Sequence, residues 1–528
     1  MRTGMYRTRR LPVWIGSLAL GILLLVPGFG HAVTPLLCGL RYDLPGDVDV
    51  NLPASHVQGT FDRYSWDTFL ALNARNVGAT VNRWGDNVTQ WSHWSSTDDL
   101  IQCQLDPASC ECPNGDCDTS GARYYPEECR TVPNFQRYRV LGEVAKVDDL
   151  FLEAENKGLS NDPVIDSRGK FLRYEIMVSP ATYDFVIENQ YYDDEVLEGL
   201  TQSITFPCGE LSYHGGNPAD PRAGAIVLKN AWMELGNRDE RRYHIEELLV
   251  YTPSYRNSTG TATCERKKMA LVGMHVARKT VKQPNWTWST FEHRLNAPNC
   301  AGLPPAGTGS GASPNTACPA TVRQDYNFFP KSCSARGQNP DACQACNVVP
   351  VSNAPGCDNP DVAGDVSWCL DQPPAAQLGM SRLCRQVPVG TNHPTANFLN
   401  SICGSFMGLL SVWSNYQLIS TQWFNIASNQ CQTLDEADRT LIEPQVNIAS
   451  PSSPTRPYLG NTSMESYSRS DCMGCHANAT VDGTKGAPST DQMYWLQLEV
   501  GAAGSGLGAA QLFHGFTDFA EAGAAVAE

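Results

Sequence analysis

Beyond residue 32 the sequence has no apolar run long enough to cross a bilayer, so it predicts no transmembrane helix there. Charged residues are scarce, at 18% of the chain, and the 39 basic residues are outnumbered by 55 acidic ones. The formal charge of −16 argues against nucleic acid as a partner, because lysine and arginine supply most contacts to a phosphate backbone. No fixed-period repeat occurs, and the 41% hydrophobic content is typical of a folded globular protein.

The first 32 residues differ in composition from the rest. A start with four arginines leads into the apolar stretch Leu11–Phe29, and small residues follow up to Ala32. This layout predicts a secretory signal peptide at 1–32, and therefore a periplasmic or secreted protein with no stable membrane span after cleavage. Cleavage removes four arginines and no acidic residue, which takes the formal charge from −16 to about −20.

Cysteine, in contrast, is abundant, with 20 residues. An exported chain meets an oxidising compartment, so most of these thiols are expected to form disulfides. Two of them, Cys472 and Cys475, belong to a different motif, and the other 18 allow up to nine bridges. Two local clusters, at 103–129 and 318–384, suggest some short covalent loops, although the sequence does not determine the pairing.

The hydrophobic patterns predict an α+β fold. Ser65–Leu72 has the spacing of a short amphipathic helix. Alternating apolar and polar residues separated by turn residues predict an antiparallel, β-rich body rather than repeated βαβ units. The strand candidates are Phe171–Val178, Ala225–Leu228, Glu246–Tyr251 and Met269–Arg278.

After the signal peptide, the chain is divided into three segments. The β-rich body, with an N-terminal helix and a Cys-rich loop, takes 33–295, and a disulfide-rich, irregular Cys/Pro/Gly-rich insertion, expected on the surface, takes 296–395. A helical segment takes 396–528, where apolar residues three and four apart predict one long helix. Those residues are Leu399, Ile402, Phe406, Leu409, Trp413 and Tyr416.

The C-terminal segment contains the motif Cys472-Met473-Gly474-Cys475-His476. In a Cys-x-x-Cys-His sequence the two thiols can add to the vinyl groups of a haem, and the histidine can bind its iron as the proximal ligand. A short disulfide beside an unrelated histidine and half of a zinc site are the alternatives, but no second ligand pair lies nearby. The motif therefore predicts one covalent haem c, held by Cys472, Cys475 and His476.

Several residues are candidates for the distal side of that iron. They are Met464, Met493, His275 and His514. The two methionines are preferred, because a methionine ligand raises the potential and suits electron transfer, whereas an open sixth position would suit peroxide or oxygen chemistry. The apolar stripe of the predicted helix is expected to pack on the core, although Trp413 or Tyr416 could instead contact the haem.

Six segments together resemble a family of exported bacterial cytochrome-c-like proteins. They are Ser65–Asn73, Gly169–Val178, Gly273–Thr280, Trp286–His293, Val412–Trp423 and Asn461–His476. Members share a Ser-Trp-x-x-Phe-x-Ala-Leu-Asn start, a Gly-x-His-x-x-x-Lys-Thr strand, a Trp-x-Trp-Ser-Thr-Phe-Glu-His segment and a final Cys-x-x-Cys-His. The resemblance covers most of the chain outside the Cys-rich stretches. It implies haem attachment and draws attention to His275, Glu292 and His293, but it implies no particular activity.

Glu292-His293-Arg294 carries a further hypothesis. A carboxylate, an imidazole and a guanidinium side by side could move a proton and stabilise charge on peroxide at a haem. The alternative, an ordinary hydrogen-bonded cluster at the end of a strand, is preferred. If the catalytic role holds, His293→Ala abolishes peroxide turnover and keeps the haem.

These observations favour an exported monohaem c-type cytochrome that transfers single electrons to a redox partner protein. A haem enzyme of peroxidase or oxygenase type is one alternative, because the body is larger than haem shielding requires. A haem subunit that docks onto a larger redox complex is another. The sequence does not determine the substrate, the potential or the oligomeric state.

Overall fold

The structure is a computed structural model, and it describes part of the 528-residue chain. The described residues are 43–48, 54–74, 89–100, 103, 123–141, 164–254, 257–301, 319, 322–331, 369, 381–385, 389, 396, 398–401, 411–424, 431, 444–445, 461–464, 476, 479–481, 487–493 and 495–496. The predicted signal peptide at 1–32 lies outside them. Among the described helices, none has the length and apolar character needed to span a membrane.

Most of the described elements are strands. They are β1 (Leu44–Pro45), β2 (Ser95–Ser96), β3 (Val140–Leu141), β4 (Arg173–Val178), β5 (Gly215–Gly216), β6 (Ile226–Glu234), β7 (Ile245–Thr252), β8 (Thr263–Arg278), β9 (Thr287–His293), β10 (Tyr416–Phe424) and β11 (Pro444–Gln445). The α-helices with both ends described are α1 (Ala54–Asn73), α2 (Glu127–Arg130), α3 (Pro180–Glu188) and α4 (Asp194–Glu198). The predicted α+β class is confirmed, and each of the four strand candidates overlaps a strand.

Nine of the strands form one sheet, in the order β11-β10-β9-β8-β6-β4-β2, with β7 on β8 and β3 on β7. The sixteen-residue β8 is the central strand, because β6 follows one of its edges while β7 and β9 follow the other. All pairs are antiparallel except β3 with β7, so the sheet is mixed. The prediction of an antiparallel body is therefore confirmed for most of the sheet and wrong at this one pair.

One face of the sheet packs against α1 and is called here the α1 face. The register places Met274, Phe291 and Leu418 side by side on it, in β8, β9 and β10. From the helix, Phe69 stacks on Phe291 with ring centroids 4.1 Å apart, and Trp66 meets the same ring edge-on at 5.2 Å. The helix predicted at 65–72 is confirmed and begins earlier, at Ala54, where the added part includes Phe61, which stacks on Trp423 of β10.

The opposite face carries the alternate residues of β8, namely Gly273, His275 and Ala277, and is called here the C-terminal face. Segment 461–464 lies on it, where Ser463 accepts a 2.8 Å hydrogen bond from the Tyr174 hydroxyl through its carbonyl. His476 also packs on this face, against Trp288 of β9. Parts of the chain that follow β10 therefore cover the sheet on the side away from α1.

The long helix predicted from residue 396 is wrong in its second half. Helical residues are described at 398–401, but Trp413 lies in a short 3-10 helix, Val412–Asn415, and Tyr416 begins β10. Pairing with β9 supplies the backbone hydrogen bonds there, and the Tyr416 hydroxyl donates to the Leu271 carbonyl at 2.8 Å. The described residues of the stripe, Leu399, Trp413 and Tyr416, are buried in the core cluster on the α1 face, as expected. Residues 402–410 lie outside the described part.

The insertion at 296–395 is irregular where the structure describes it, but it is not confined to the surface. Phe328 and Leu383 are fully buried and belong to a core cluster with Ala231 of β6. Asn327 receives a 2.9 Å hydrogen bond from the Tyr243 hydroxyl. The expectation of a surface location is wrong for these residues, because their apolar side chains complete the core beside β6.

Three disulfides join described cysteines, and all of them are long-range: Cys129–Cys264, Cys208–Cys431 and Cys300–Cys384. Cys129 and Cys384 each belong to one of the two local sequence clusters but pair outside it. The expected short loops are therefore not found for these two cysteines. The bridges are compatible with an exported protein, because disulfides persist in oxidising compartments.

Candidate functional site

His476 is the one residue of the Cys-x-x-Cys-His motif that lies in the described part. Its half-buried ring packs against Trp288, with ring centroids 4.3 Å apart and an interplanar angle of 41°. Its Nδ1 lies 2.8 Å from the carbonyl oxygen of Gln492. Cys472 and Cys475, the predicted attachment points, lie outside the described residues.

The contact with Gln492 determines the state of the imidazole. A carbonyl oxygen only accepts hydrogen bonds, so Nδ1 of His476 must carry the proton. In the neutral ring Nε2 then holds the lone pair, and this nitrogen is the one available in principle to a metal. A second hydrogen bond that fixes the tautomer and orientation is a common feature of metal-binding histidines. The contact with Gln492 therefore leaves Nε2 as the ring nitrogen through which His476 could bind a metal.

Two residues beside His476 were missed as site residues by the sequence reasoning. Trp288 lies in the segment Trp286–His293, which carries part of the family resemblance, but nothing in the sequence of this segment indicates contact with His476. Gln492 carries no signal in the sequence, since its contact with His476 is made by a backbone carbonyl, which any residue type has. Besides that carbonyl, the Gln492 side chain accepts a 3.3 Å hydrogen bond from Nε1 of Trp288.

Met464 and His275 lie on the C-terminal face with His476. Met464 is buried over Gly273, where an added Cβ would come within 3.3 Å of its terminal methyl carbon. Trp288, which His476 contacts, pairs with Ala277. Gly273 and Ala277 are four residues apart in β8, or about 13 Å along the strand, and His275 lies midway between them.

Met493 directly follows Gln492, whose carbonyl lies 2.8 Å from Nδ1 of His476. Its side chain is buried in a cluster that includes Trp288 and Ala277. Met464 lies farther along the sheet, over Gly273. His514 lies outside the described residues.

The structure does not bring Glu292 and His293 together. They are consecutive in β9, so their side chains lie on opposite faces of the sheet. On the C-terminal face, Glu292 forms an ion pair with Arg385 and accepts hydrogen bonds from Thr462, from its backbone nitrogen at 2.9 Å and its hydroxyl at 2.7 Å. Glu292 thus ties the insertion and segment 461–464 to β9.

His293 lies on the α1 face in a set of backbone contacts. Its Nδ1 accepts the backbone N–H of Leu295 at 3.1 Å, and its Nε2 lies 3.0 Å from the carbonyl of Arg242. Burial is the main cause that lowers the pKa of His293 to about 3. Arg294 donates to the Asn400 carbonyl at 2.7 Å. Glu292, His293 and Arg294 thus have different hydrogen-bond partners, and their catalytic role stays a prediction.

In the described part of the chain, no three His, Cys, Asp or Glu side chains form a group that could hold a metal ion. Comparisons with protein families, with curated proteins and with solved structures found nothing that matches this chain. The resemblance to exported cytochrome-c-like proteins therefore stays a prediction that depends on the quoted segments.

Proposed function

We propose that this protein is an exported monohaem c-type cytochrome that transfers single electrons. Cys472 and Cys475 would form the thioether links, and His476 would bind the iron through Nε2. The observation that carries the proposal is the 2.8 Å contact between Nδ1 of His476 and the Gln492 carbonyl. It supports the proposal because it directs the Nε2 lone pair away from the loop that contains Gln492.

Within this proposal the haem supplies the redox change between ferric and ferrous iron when it is bound. The residues of the chain hold and orient the ligand. Gln492 fixes the imidazole tautomer, and the buried ring of Trp288 covers one side of His476. An acidic surface, with an expected charge of about −20 after signal cleavage, would favour a redox partner protein with a basic surface.

For the distal position we favour Met464 over Met493. Met464, which is buried over Gly273 on the face that His476 contacts, would supply a thioether sulfur to the iron. Met493 adjoins the carbonyl on the Nδ1 side. Replacing Met464 with Ala should convert low-spin absorption bands to high-spin ones, whereas Met493→Ala should leave them low-spin.

The test of attachment is the absorption spectrum of the exported protein, oxidised and reduced, and then denatured in alkaline pyridine. Wild type should give a haem c spectrum, and the Cys472→Ser/Cys475→Ser variant should lose covalent haem. Cys343→Ser/Cys346→Ser is the matched control, because it removes another Cys-x-x-Cys pair that no histidine follows. A wild-type protein without haem c would overturn the proposal and return Cys472 and Cys475 to the disulfide count.

The test of electron transfer uses the same protein. A six-coordinate, low-spin iron that exchanges electrons reversibly with a soluble redox mediator is the expected result. High-spin bands that shift on addition of peroxide, followed by turnover, would instead support the haem-enzyme alternative.

A further inference from the structure

Backbone strain is concentrated next to His476. Five described residues other than glycine have positive φ, and three of them, Trp286, Asp491 and Gln492, meet in this part of the structure. Asp491 and Gln492 are consecutive, with φ of 54° and 69°. A left-handed conformation costs roughly 1 kcal/mol or more at each such residue, so surrounding contacts must hold this segment in place.

The main such contact is a buried ion pair between Lys279 and Asp491. Their side chains are 0% and 1% exposed, so both charges are removed from water. The Asp491 carboxylate also accepts the backbone N–H of Phe206 at 2.8 Å. The ammonium of Lys279 lies 5.5 Å from the centre of the Trp286 ring, and Nε1 of Trp286 donates to the Asp491 carbonyl at 2.9 Å. A buried pair of this kind seldom adds much net stability, which suggests a role in specifying geometry.

Gln492, which lies in this segment, accepts hydrogen bonds from two rings through its two carbonyl groups. The backbone carbonyl of Gln492 faces Nδ1 of His476, and its side-chain carbonyl faces Nε1 of Trp288. The first carbonyl belongs to the peptide between Gln492 and Met493, so its direction depends on the two left-handed residues Asp491 and Gln492. Displacement of Asp491 would turn that carbonyl away from the imidazole.

We propose that the Lys279–Asp491 pair is a positioning device that holds the Gln492 carbonyl against Nδ1 of His476. The proposal rests on the proposed haem attachment for its consequence, which is control of the redox potential. A hydrogen bond at Nδ1 makes the imidazole a stronger electron donor and stabilises the ferric state. Loss of that bond therefore raises the midpoint potential.

The experiment measures two properties of the full-length protein. The first is the rate at which the Nδ1 proton of His476 exchanges with solvent, followed by NMR of 15N-histidine-labelled, reduced protein. The second is the midpoint potential of the haem. Lys279→Met should speed the exchange about tenfold or more, as expected when one hydrogen bond is lost, and should shift the potential upward. Lys282→Met, the same change three residues later, should alter neither.

A second variant separates positioning from simple destabilisation. Lys279→Met alone leaves the Asp491 carboxylate buried without its cation, whereas Lys279→Met/Asp491→Asn removes both charges, and asparagine tolerates positive φ. The double variant should regain most of the resistance to urea and still show fast exchange and a raised potential. Wild-type exchange and potential in the folded double variant would overturn the proposal.

The two proposals fail in distinguishable ways. If wild type carries no haem c, the proposed function is wrong, while slow Nδ1 exchange that Lys279→Met abolishes would still support the positioning device. If haem is bound and neither variant alters the exchange rate, the proposed function stands and the positioning device is overturned.

Discussion

The guanidinium of Arg139 lies against the carboxylate of Glu175, with two nitrogen–oxygen distances of 3.1 Å, and both side chains are buried. A third nitrogen of Arg139 lies 2.8 Å from Glu246 in β7. Although burial opposes it, the charge of Arg139 contributes to lowering the pKa of Glu246 to about 2. One buried cation therefore joins the parallel β3–β7 pair to β4.

Replacing Arg139 with Met should strongly destabilise the fold. The change leaves the buried carboxylate of Glu175 and the half-buried carboxylate of Glu246 without their cation, which costs about 3–5 kcal/mol. Urea unfolding of wild type and variant measures the difference. Arg137→Met, at an exposed position two residues earlier, is the control and should change the free energy of unfolding by less than about 0.5 kcal/mol. A loss below about 1 kcal/mol at Arg139 would contradict this account.

Asp62 should make the protein less stable as the pH rises towards neutrality. Burial is the main cause that raises its pKa from 3.8 to about 7, against hydrogen bonds from Gln58 and Thr421. Between about pH 4 and 7 the unfolded chain has lost this proton and the folded protein keeps it, so stability falls by up to about 1.4 kcal/mol per pH unit. Asp62→Asn should remove that slope in urea unfolding, and Asp67→Asn on the same helix should not.

His293 should have the opposite pH dependence. Its pKa falls from 6.5 to about 3, mainly because the ring is buried. Below about pH 6.5 the unfolded chain binds a proton that the folded protein does not, so stability falls as the pH is lowered towards 3. His293→Gln should lower stability at pH 7 and flatten this acid slope in thermal unfolding scans. An unchanged slope would show that His293 is not the group responsible.

Gly224 should not tolerate a side chain. Its φ is +80°, and an added Cβ would lie closer than van der Waals contact to the carbonyl of Lys279, the residue that also binds Asp491. Gly224→Ala should therefore cost about 3 kcal/mol or more. Gly260→Ala is the control, since Gly260 has a similar φ of +66° but nothing within 4 Å of the added carbon, and should cost about 1 kcal/mol. Equal losses in thermal unfolding would contradict the steric explanation.

Hydrophobic periodicity predicted the strands and helices that bury one regular face of side chains. The strand around Ile176 and the helix around Trp66 follow their own repeat, so neighbouring residues suffice to identify them. The same hydrophobic periodicity gave a wrong prediction of secondary structure at Tyr416. Spacings of three and four placed it on a helix, but its conformation depends on pairing with His293, more than 120 residues earlier.

The sequence predicted the chemistry of the candidate site but not the contacts that surround it. The sequence around His476 indicates a reactive motif, because two thiols and an imidazole occur at a fixed spacing. The hydrogen bond to Gln492 is formed by a backbone carbonyl, and any residue type supplies one. The opposite orientations of Glu292 and His293 could have been anticipated, since both lie in one strand segment.

The disulfide between Cys208 and Cys431 closes a covalent ring that contains β5 to β10. Cys300–Cys384 lies inside this ring, and Cys129–Cys264 attaches the preceding chain to it. A protease that cuts once in the insertion, for example near residue 310, therefore leaves both products joined through sulfur. Such a nicked protein would migrate as a single chain until a reducing agent separates the fragments, so limited proteolysis of this protein can go unnoticed without reduction.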